Sequence, residues 1–216
     1  VINCAAKTNT KFCEKNRLEA FADNVDLADR IASLCQKKGY KNIYVSSEVV
    51  FGANEANHLP VETCRPHPVT WYGATKRMGE LVTLNKGGMV IRLPILINLS
   101  DDSTVLGEIY KKLKSGLEIR ASASCFSTPI TYREAAIGIS QIIFNRRYDH
   151  EPIIHLTGNS YMSIYDLFLQ IAIREGLSES LIGVFQHGAE DRGLILKSGG
   201  LKSEIFPPIK SSIKGQ

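Results

Sequence analysis

Tyr72 and Lys76 stand in the segment Tyr72-Gly-Ala-Thr-Lys76, and on a helix this spacing puts both side chains on one face. An ammonium beside a phenol favours the phenolate, so we expect the pKa of Tyr72 to lie below its ordinary value of about 10. Such a tyrosine can exchange a proton with a carbonyl or alcohol oxygen near neutral pH. The hydroxyl of Ser47 could hold the same oxygen. These groups suit hydride transfer at a C–O bond, with a nicotinamide as the hydride source.

A second pair, Tyr110 and Lys114, has the same spacing but different surroundings. Tyr110 lies in an apolar stripe of helical period, and no strand ending in hydroxyls precedes it. We therefore interpret Tyr110 as a residue at the edge of a core and the neighbouring lysines as a solvated face.

Ser46 and Ser47 follow a short apolar segment, Lys41–Val45, that reads as a buried strand. Ligands of open parallel sheets bind outside the carboxyl ends of the strands, which is where these hydroxyls would lie. The alternative from the residues alone is that the serines merely end a strand and Tyr72 merely begins a helix.

Strand and helix patterns alternate along the chain, which predicts an α/β fold: a parallel sheet with helices on both faces. The predicted strands are Val1–Ala5, Ile43–Val45, Met89–Leu93 and Ile153–Leu156. The predicted helices are Arg17–Lys38, Tyr72–Leu84, Thr104–Ser115, a helix from Thr131 to Asn145, and one from Ser163 to about Gly176. The last two open with capping boxes, Thr131-x-x-Glu134 and Ser163-x-x-Asp166.

The composition sets limits on function. The 216 residues suit one or two domains, and 44% hydrophobic content suits a globular core. A net charge of +4 is too mild to argue for nucleic acid. The five cysteines include no Cys-x-x-Cys and read as reduced thiols, which predicts a cytoplasmic protein. The histidines show no metal-ligand spacing, and no apolar run reaches the roughly 18 residues of a membrane span.

Three motifs carry a resemblance to a known superfamily: Ser46-Ser-Glu-Val-Val-Phe-Gly52, Trp71-Tyr-Gly-Ala-Thr-Lys-Arg-Met-Gly-Glu80 and Ile91-Arg-Leu-Pro-Ile95. Together they resemble the extended short-chain dehydrogenase/reductases, and within them the dTDP-4-dehydrorhamnose reductase group. Weaker matches follow the same order along nearly all of the chain: Val1–Thr8, Pro129–Ala136 and Ile154–Asn159.

The resemblance implies a doubly wound, Rossmann-like sheet and a smaller C-terminal α/β substrate lobe. We expect residues 1–116 to be the C-terminal part of the NAD(P)-binding domain, and residues 117–216 to be mainly the substrate lobe, with an interleaved boundary. The family's Gly-rich phosphate loop does not occur in this sequence. We therefore expect the sheet to lack its first strands here and the natural protein to be longer. The residues that choose between NAD and NADP would also lie upstream.

The resemblance assigns roles to matching residues. Tyr72 would protonate a ketone oxygen, Lys76 would tune Tyr72 and hold the nicotinamide ribose, and Ser47 would bind the reacting oxygen. The other implied contacts are Ala5, Ala6, Lys7 and Pro94 for the cofactor, and Glu48 and Ile95, with Ser47, for the substrate. For the Lys7 side chain itself, a solvated lysine is the favoured interpretation. Asn24 falls where the family has a helix asparagine near the site, or is an ordinary polar residue.

Three functions remain open. The first is an NAD- or NADP-dependent reductase of a 4-keto-6-deoxy nucleotide sugar, as in dTDP-rhamnose biosynthesis, with a homodimer as one possible assembly. The second is a nucleotide-sugar epimerase or dehydratase, although only Glu48 is present where dehydratases usually have an acidic pair. The third is a cofactor-binding regulatory subunit without chemistry. Arg92-Leu-Pro-Ile-Leu96 is more similar to the regulatory subunit of methionine adenosyltransferase, and Ile95 replaces a tryptophan of the reductases.

Overall fold

The computed structural model describes residues 1–52, 59–100, 104–185, 201–210 and 212. The strands within these ranges are β1 (Ile2–Asn3), β2 (Ile43–Ser47), β3 (Met89–Leu93), β4 (Leu96–Ile97), β5 (Ile119–Ser122), β6 (Phe126–Ser127), β7 (Ile130–Thr131), β8 (Ile153–His155), β9 (Met162–Ser163) and β10 (Ile182–Phe185). The α-helices are α1 (Thr10–Lys15), α2 (Arg17–Phe21), α3 (Leu27–Lys38), α4 (Trp71–Leu84), α5 (Val105–Lys114), α6 (Tyr132–Phe144) and α7 (Ile164–Glu175).

The central sheet has four strands in the order β1-β2-β3-β8, and all of its pairings are parallel. Its two faces are covered by different helices, because side chains alternate between the faces of a strand. Tyr44 and Val90 pack with Ala28 of α3 on one face. Ile43 and Ile91 pack with residues of α6 on the other. This confirms the predicted parallel α/β sheet with helices on both faces.

The helix predictions also agree with the structure, with one addition. The predicted helix over Arg17–Lys38 is α2 and α3 joined by a π-helical turn at Ala22–Asp26. Both predicted capping boxes are present, at the starts of α6 and α7. The short helix α1 was not predicted. It is capped by the Asn9 side chain, which accepts the Phe12 N–H at 2.9 Å.

A second hydrophobic core lies away from the sheet. It contains Leu106 and Leu113 of α5, Ile119 of β5, Phe168 of α7 and Ile182 of β10. Residues before and after position 116 contribute to both cores. Helix α6 and strand β8, for example, follow position 116 in the chain but belong to the core of the central sheet. The lobe boundary at that residue stays a prediction.

The C-terminal segment 201–210 packs on the core of the central sheet through Ile205, Phe206 and Ile209. Leu201 exchanges two hydrogen bonds with the Thr128 hydroxyl, at 3.3 and 3.4 Å. Lys202 N–H donates to Pro60 O at 3.1 Å, and Ile209 N–H donates to Thr157 O at 2.9 Å. Leu201 also packs on Phe51, just after β2.

Candidate active site

The carboxyl ends of β1, β2 and β3 meet at one edge of the sheet. Ser47 lies opposite Leu93 in the register of β2 and β3. The register of β1 with β2, Ile2 opposite Ile43, leads the chain after β1 to the same edge. There Ala5 is exposed, and its N–H donates to Asn3 Oδ1 at 3.1 Å. The predicted contact residues that follow these strands are therefore neighbours in space.

Helix α4 brings Tyr72 to this edge. Thr70 caps the helix by accepting the Gly73 N–H at 3.0 Å. Tyr72 is only 9% exposed, and it packs with Cys13, Ala20 and Val49. Lys76 follows one turn later on the same face, as the spacing predicts.

Lys76 is buried and directed at β2. Its Nζ donates to Val45 O at 2.7 Å and lies 4.0 Å from the centroid of the Tyr44 ring. Burial lowers the pKa of Lys76 to about 8, against the opposing effect of Glu80. An ammonium has three N–H donors, so hydrogen-bonding capacity remains besides the bond to Val45.

The expected lowering of the Tyr72 pKa is wrong for this structure. Burial raises the pKa of Tyr72, Cys13 adds to the increase, and a hydrogen bond with Ser47 opposes it. The physical reason is twofold: removal from water penalises the phenolate, and the Lys76 ammonium interacts with Val45 and Tyr44 instead of the phenol.

Asn24, in the π-helical turn, joins the loop after β1 to α4. Its Oδ1 accepts the Lys7 N–H at 2.7 Å, and its Nδ2 donates to Lys7 O at 3.1 Å and to Thr75 Oγ1 at 2.9 Å. The side chain is fully buried. Asn24 is thus a structural link between two segments of the site, and no sequence pattern could have shown these partners.

Gly79 explains why α4 lies so close to β2 and to the π-helical turn. A Cβ at this position would lie 2.4 Å from the Tyr44 hydroxyl and 2.8 Å from Asn24 O. Only glycine therefore allows this approach, and with it the contact between Lys76 and the Tyr44 ring.

Glu48 and Ile95 are joined through Ser127. The Ser127 hydroxyl lies 3.0 Å from both carboxylate oxygens of Glu48 and accepts the Ile95 N–H at 3.3 Å. Glu48 is 3% exposed and Ser127 is 1% exposed. Sequence reasoning missed Ser127, because serine at the end of a short strand carries no motif.

Three further residues were predicted to contact the cofactor: Ala6, Lys7 and Pro94. Pro94 is buried directly after Leu93, and Ala6 is half-buried. The Lys7 ammonium pairs with Glu19 at 3.4 Å and Asp23 at 3.6 Å, so only its backbone is turned to Asn24.

The second Tyr-x-x-x-Lys pair is confirmed as a surface feature. Tyr110 packs at the edge of the second core, and its hydroxyl donates to Glu175 at 3.2 Å. Lys114 is exposed. The pair lies on α5, which packs in the second core and not with β2, the strand that ends in Ser47.

A buried polar network behind the site was also missed. Arg92 of β3 donates to both carboxylate oxygens of Glu80 in α4, at 2.8 and 2.9 Å, and contacts His155 Nε2 at 3.2 Å. His155 Nδ1 lies 2.9 Å from Lys202 O. Arginine can only donate, so Nε2 accepts and Nδ1 carries the proton. Burial accordingly lowers the pKa of His155.

Within the described ranges, no three His, Cys, Asp or Glu side chains are grouped so that they could hold a metal ion, and no helix is long and apolar enough to cross a membrane.

The parallel sheet with helices on both faces is a Rossmann-like α/β fold, and Ser47, Tyr72 and Lys76 lie together at the carboxyl ends of its strands. The chain belongs to the RmlD substrate-binding domain family, whose model it matches over residues 1–189.

Two relatives illustrate the likeness in sequence. The beta subunit of methionine adenosyltransferase 2 from Xenopus laevis is 27% identical over 188 residues, which cover 80% of this chain and 53% of that protein. The dTDP-4-dehydrorhamnose reductase of Mycobacterium tuberculosis (strain CDC 1551 / Oshkosh) is 34% identical over 89 residues, 39% of this chain and 29% of that protein.

Among solved structures, the dTDP-4-dehydrorhamnose reductase of Bacillus anthracis str. Ames, in complex with NADP, superposes with a TM-score of 0.84 at 21% identity. The match covers 97% of this chain and 75% of that one. The chain spans about half the length of the methionine adenosyltransferase subunits it matches.

Proposed function

We propose that this chain carries the reactive residues of an NADP- or NAD-dependent reductase of a nucleotide sugar with a 4-keto group. The observation that supports this most is the meeting of Ser47, Tyr72 and Lys76 at the carboxyl edge of the sheet. The solved reductase of the same fold was crystallised with NADP.

The donor set fits a nicotinamide nucleotide. Ala5 and Ala6 leave the surface after β1 open, and the Lys76 ammonium retains donors that suit ribose hydroxyls. Pro94 would lie beside the nicotinamide. When bound, the cofactor supplies the hydride.

The residues of the chain then account for the proton. Val49 N–H donates to Ser47 Oγ at 3.5 Å, and Ser47 interacts with the phenol. Ser47 would bind the ketone oxygen, and Tyr72 would donate its proton to that oxygen as the alcohol forms. The raised pKa of Tyr72 keeps the phenol protonated at neutral pH, which suits an acid in the direction of ketone reduction.

A second candidate is a regulatory subunit that binds the cofactor without turnover. The observation in its favour is the extent of the match to the methionine adenosyltransferase beta subunit, which covers twice as much of this chain as the Mycobacterium reductase does. An epimerase or dehydratase is less favoured, because Glu48 is buried against Ser127.

Steady-state oxidation of NADPH and of NADH by the intact protein, with a dTDP-4-keto-6-deoxy sugar, tests the proposal. Turnover that is lost in Tyr72→Phe supports a reductase. Tight NADPH binding without turnover on 4-keto sugars would favour the regulatory subunit instead.

A further inference from the structure

The hydroxyl of Ser127 connects a carboxylate to a backbone amide inside the protein. An ionised carboxylate can only accept hydrogen bonds, so the Ser127 proton is directed at Glu48. The oxygen of the same hydroxyl then accepts the Ile95 N–H. The two hydrogen bonds therefore run in one direction, from the Ile95 N–H to the Ser127 hydroxyl and from that hydroxyl to Glu48. The negative charge of Glu48 strengthens both bonds.

The three residues come from segments that the fold brings together at the candidate site. Glu48 directly follows Ser47, and Ile95 comes two residues after Leu93, the partner of Ser47 in the sheet. Ser127 lies on β6, which pairs with β9, where Met162 belongs to the second core. The link thus fixes the backbone after β3 relative to the strand end that carries Ser47.

The burial of Glu48 indicates that its carboxylate acts through Ser127 and the Ile95 amide. A carboxylate that is 3% exposed offers little surface to a ligand, and moving it into contact would break its bonds with Ser127.

We propose that Glu48 and Ser127 are positioning residues: Glu48 orients the Ser127 hydroxyl, and that hydroxyl holds the Ile95 amide and so the Pro94–Ile95 segment beside Ser47. Glu48 then has no direct contact with the substrate. The proposal rests on the proposed function in one respect, that Pro94–Ile95 flanks the reacting groups.

The test follows the Ile95 amide by NMR hydrogen exchange in Ser127→Ala, Ser127→Thr and Glu48→Gln. Ser127→Ala removes the acceptor and should speed exchange of this amide roughly tenfold. Ser127→Thr keeps a hydroxyl and should stay near wild type. Glu48→Gln keeps a neutral acceptor for Ser127 and should give a smaller increase. Ser160→Ala, which removes another buried hydroxyl of the chain, is the matched control and should leave the Ile95 amide unchanged.

Turnover of the same variants provides the second readout. A displacement of the Pro94–Ile95 segment should lower kcat by roughly 10- to 100-fold, with a smaller change in KM and with recovery in Ser127→Thr.

The outcomes separate the two proposals. Unchanged Ile95 exchange in Ser127→Ala overturns the link, and so does faster exchange of all core amides together, since that would mean general destabilisation. Faster Ile95 exchange with an unchanged kcat overturns the positioning role. A wild-type protein without turnover refutes the proposed function, while Ile95 exchange still decides the link.

Discussion

Glu80 and Arg92 form a bidentate ion pair, and neither side chain is exposed to solvent. Arg92 Nε donates to Glu80 Oε1 at 2.8 Å, and Arg92 Nη2 donates to Glu80 Oε2 at 2.9 Å. The pair joins α4, which carries Tyr72 and Lys76, to β3 near its carboxyl end. Arg77 adds a third bond to Glu80, at 2.8 Å. The position of the helix on the sheet therefore depends on charges that have no access to water.

Removing one member of this pair should be strongly destabilising. Arg92→Met leaves the Glu80 carboxylate buried with much of its compensation gone, and we expect a loss of about 3–5 kcal/mol in the free energy of unfolding. Urea denaturation measures it. The double variant Glu80→Leu/Arg92→Leu should lose less than Arg92→Met, since no uncompensated charge remains in the core. Glu108→Gln, which breaks the exposed pair with Lys112, should leave the free energy of unfolding almost unchanged, because water screens that pair. Equal losses in Arg92→Met and Glu108→Gln would contradict the reading of the buried pair.

Tyr72→Phe should lower kcat by about 10²–10⁴, because it removes the proton donor and leaves the packing around the ring in place. Binding of NADPH, followed by its fluorescence, should change little. Tyr110→Phe is the matched control, with the same Tyr-x-x-x-Lys spacing, and its activity should equal that of wild type. Near-normal turnover in Tyr72→Phe would remove Tyr72 from the proposed mechanism.

Lys76→Met should weaken NADPH binding, and turnover with it, because the Lys76 ammonium is the group proposed to hold the ribose hydroxyls. Lys114→Met should affect neither, since that side chain is exposed on α5. Titration calorimetry and steady-state kinetics give the two quantities. Equal losses of turnover and of NADPH affinity in the two variants would contradict the assignment of Lys76 over Lys114, which rests on their different surroundings.

Lys76 should also make stability depend on pH. Its pKa is about 8 in the folded protein and 10.5 in an unfolded chain, so between these values the unfolded state binds more protons. The free energy of unfolding of wild type should therefore rise between pH 8 and pH 10.5, by roughly 3 kcal/mol relative to Lys76→Met. Urea titrations of both proteins across this range measure the difference. Parallel pH profiles would mean that the lysine is not buried as described.

His155 should make the protein sensitive to acid. Its folded pKa is below the ordinary value of 6.5, because the ring is buried and faces Arg92. The unfolded state then binds the proton more readily, and stability falls as the pH decreases below about 6.5. His155→Asn keeps a donor for Lys202 O but does not titrate there. It should lose less stability on acidification, by at least the roughly 1.4 kcal/mol that one pKa unit is worth.

Exposed His150 provides the control for that comparison. His150→Asn should leave the pH dependence of wild type unchanged. An identical acid profile for His155→Asn and wild type would place the titration elsewhere. The next candidate would be Glu62, whose carboxylate accepts the backbone N–H of His155 at 2.9 Å.

The sequence was sufficient for the parts of the site that depend on local spacing. Tyr72 and Lys76 share a helix face, and Ser47 ends a strand, because period and strand termini are visible in the residues themselves. The partners of Asn24, Ser127 and His155 were not predictable, since each contact joins segments far apart in the chain. The prediction of a lowered Tyr72 pKa was wrong for a related reason. The motif shows the charge of Lys76, but neither the burial of the Tyr72 phenol nor the carbonyl that the Lys76 ammonium binds.

The C-terminal segment 201–210 has a consequence for the order of folding. Its bonds to Glu62 and Thr128 join residues separated by 141 and 73 positions. Closing such long loops costs chain entropy before any contact compensates for it, so this segment should dock after the sheet has formed. By the same reasoning it should detach before the sheet opens, as a local unfolding step. Detachment would uncover Phe51 and the His155 ring, and so would admit water to the buried Arg92–His155 network without unfolding the strands that carry it.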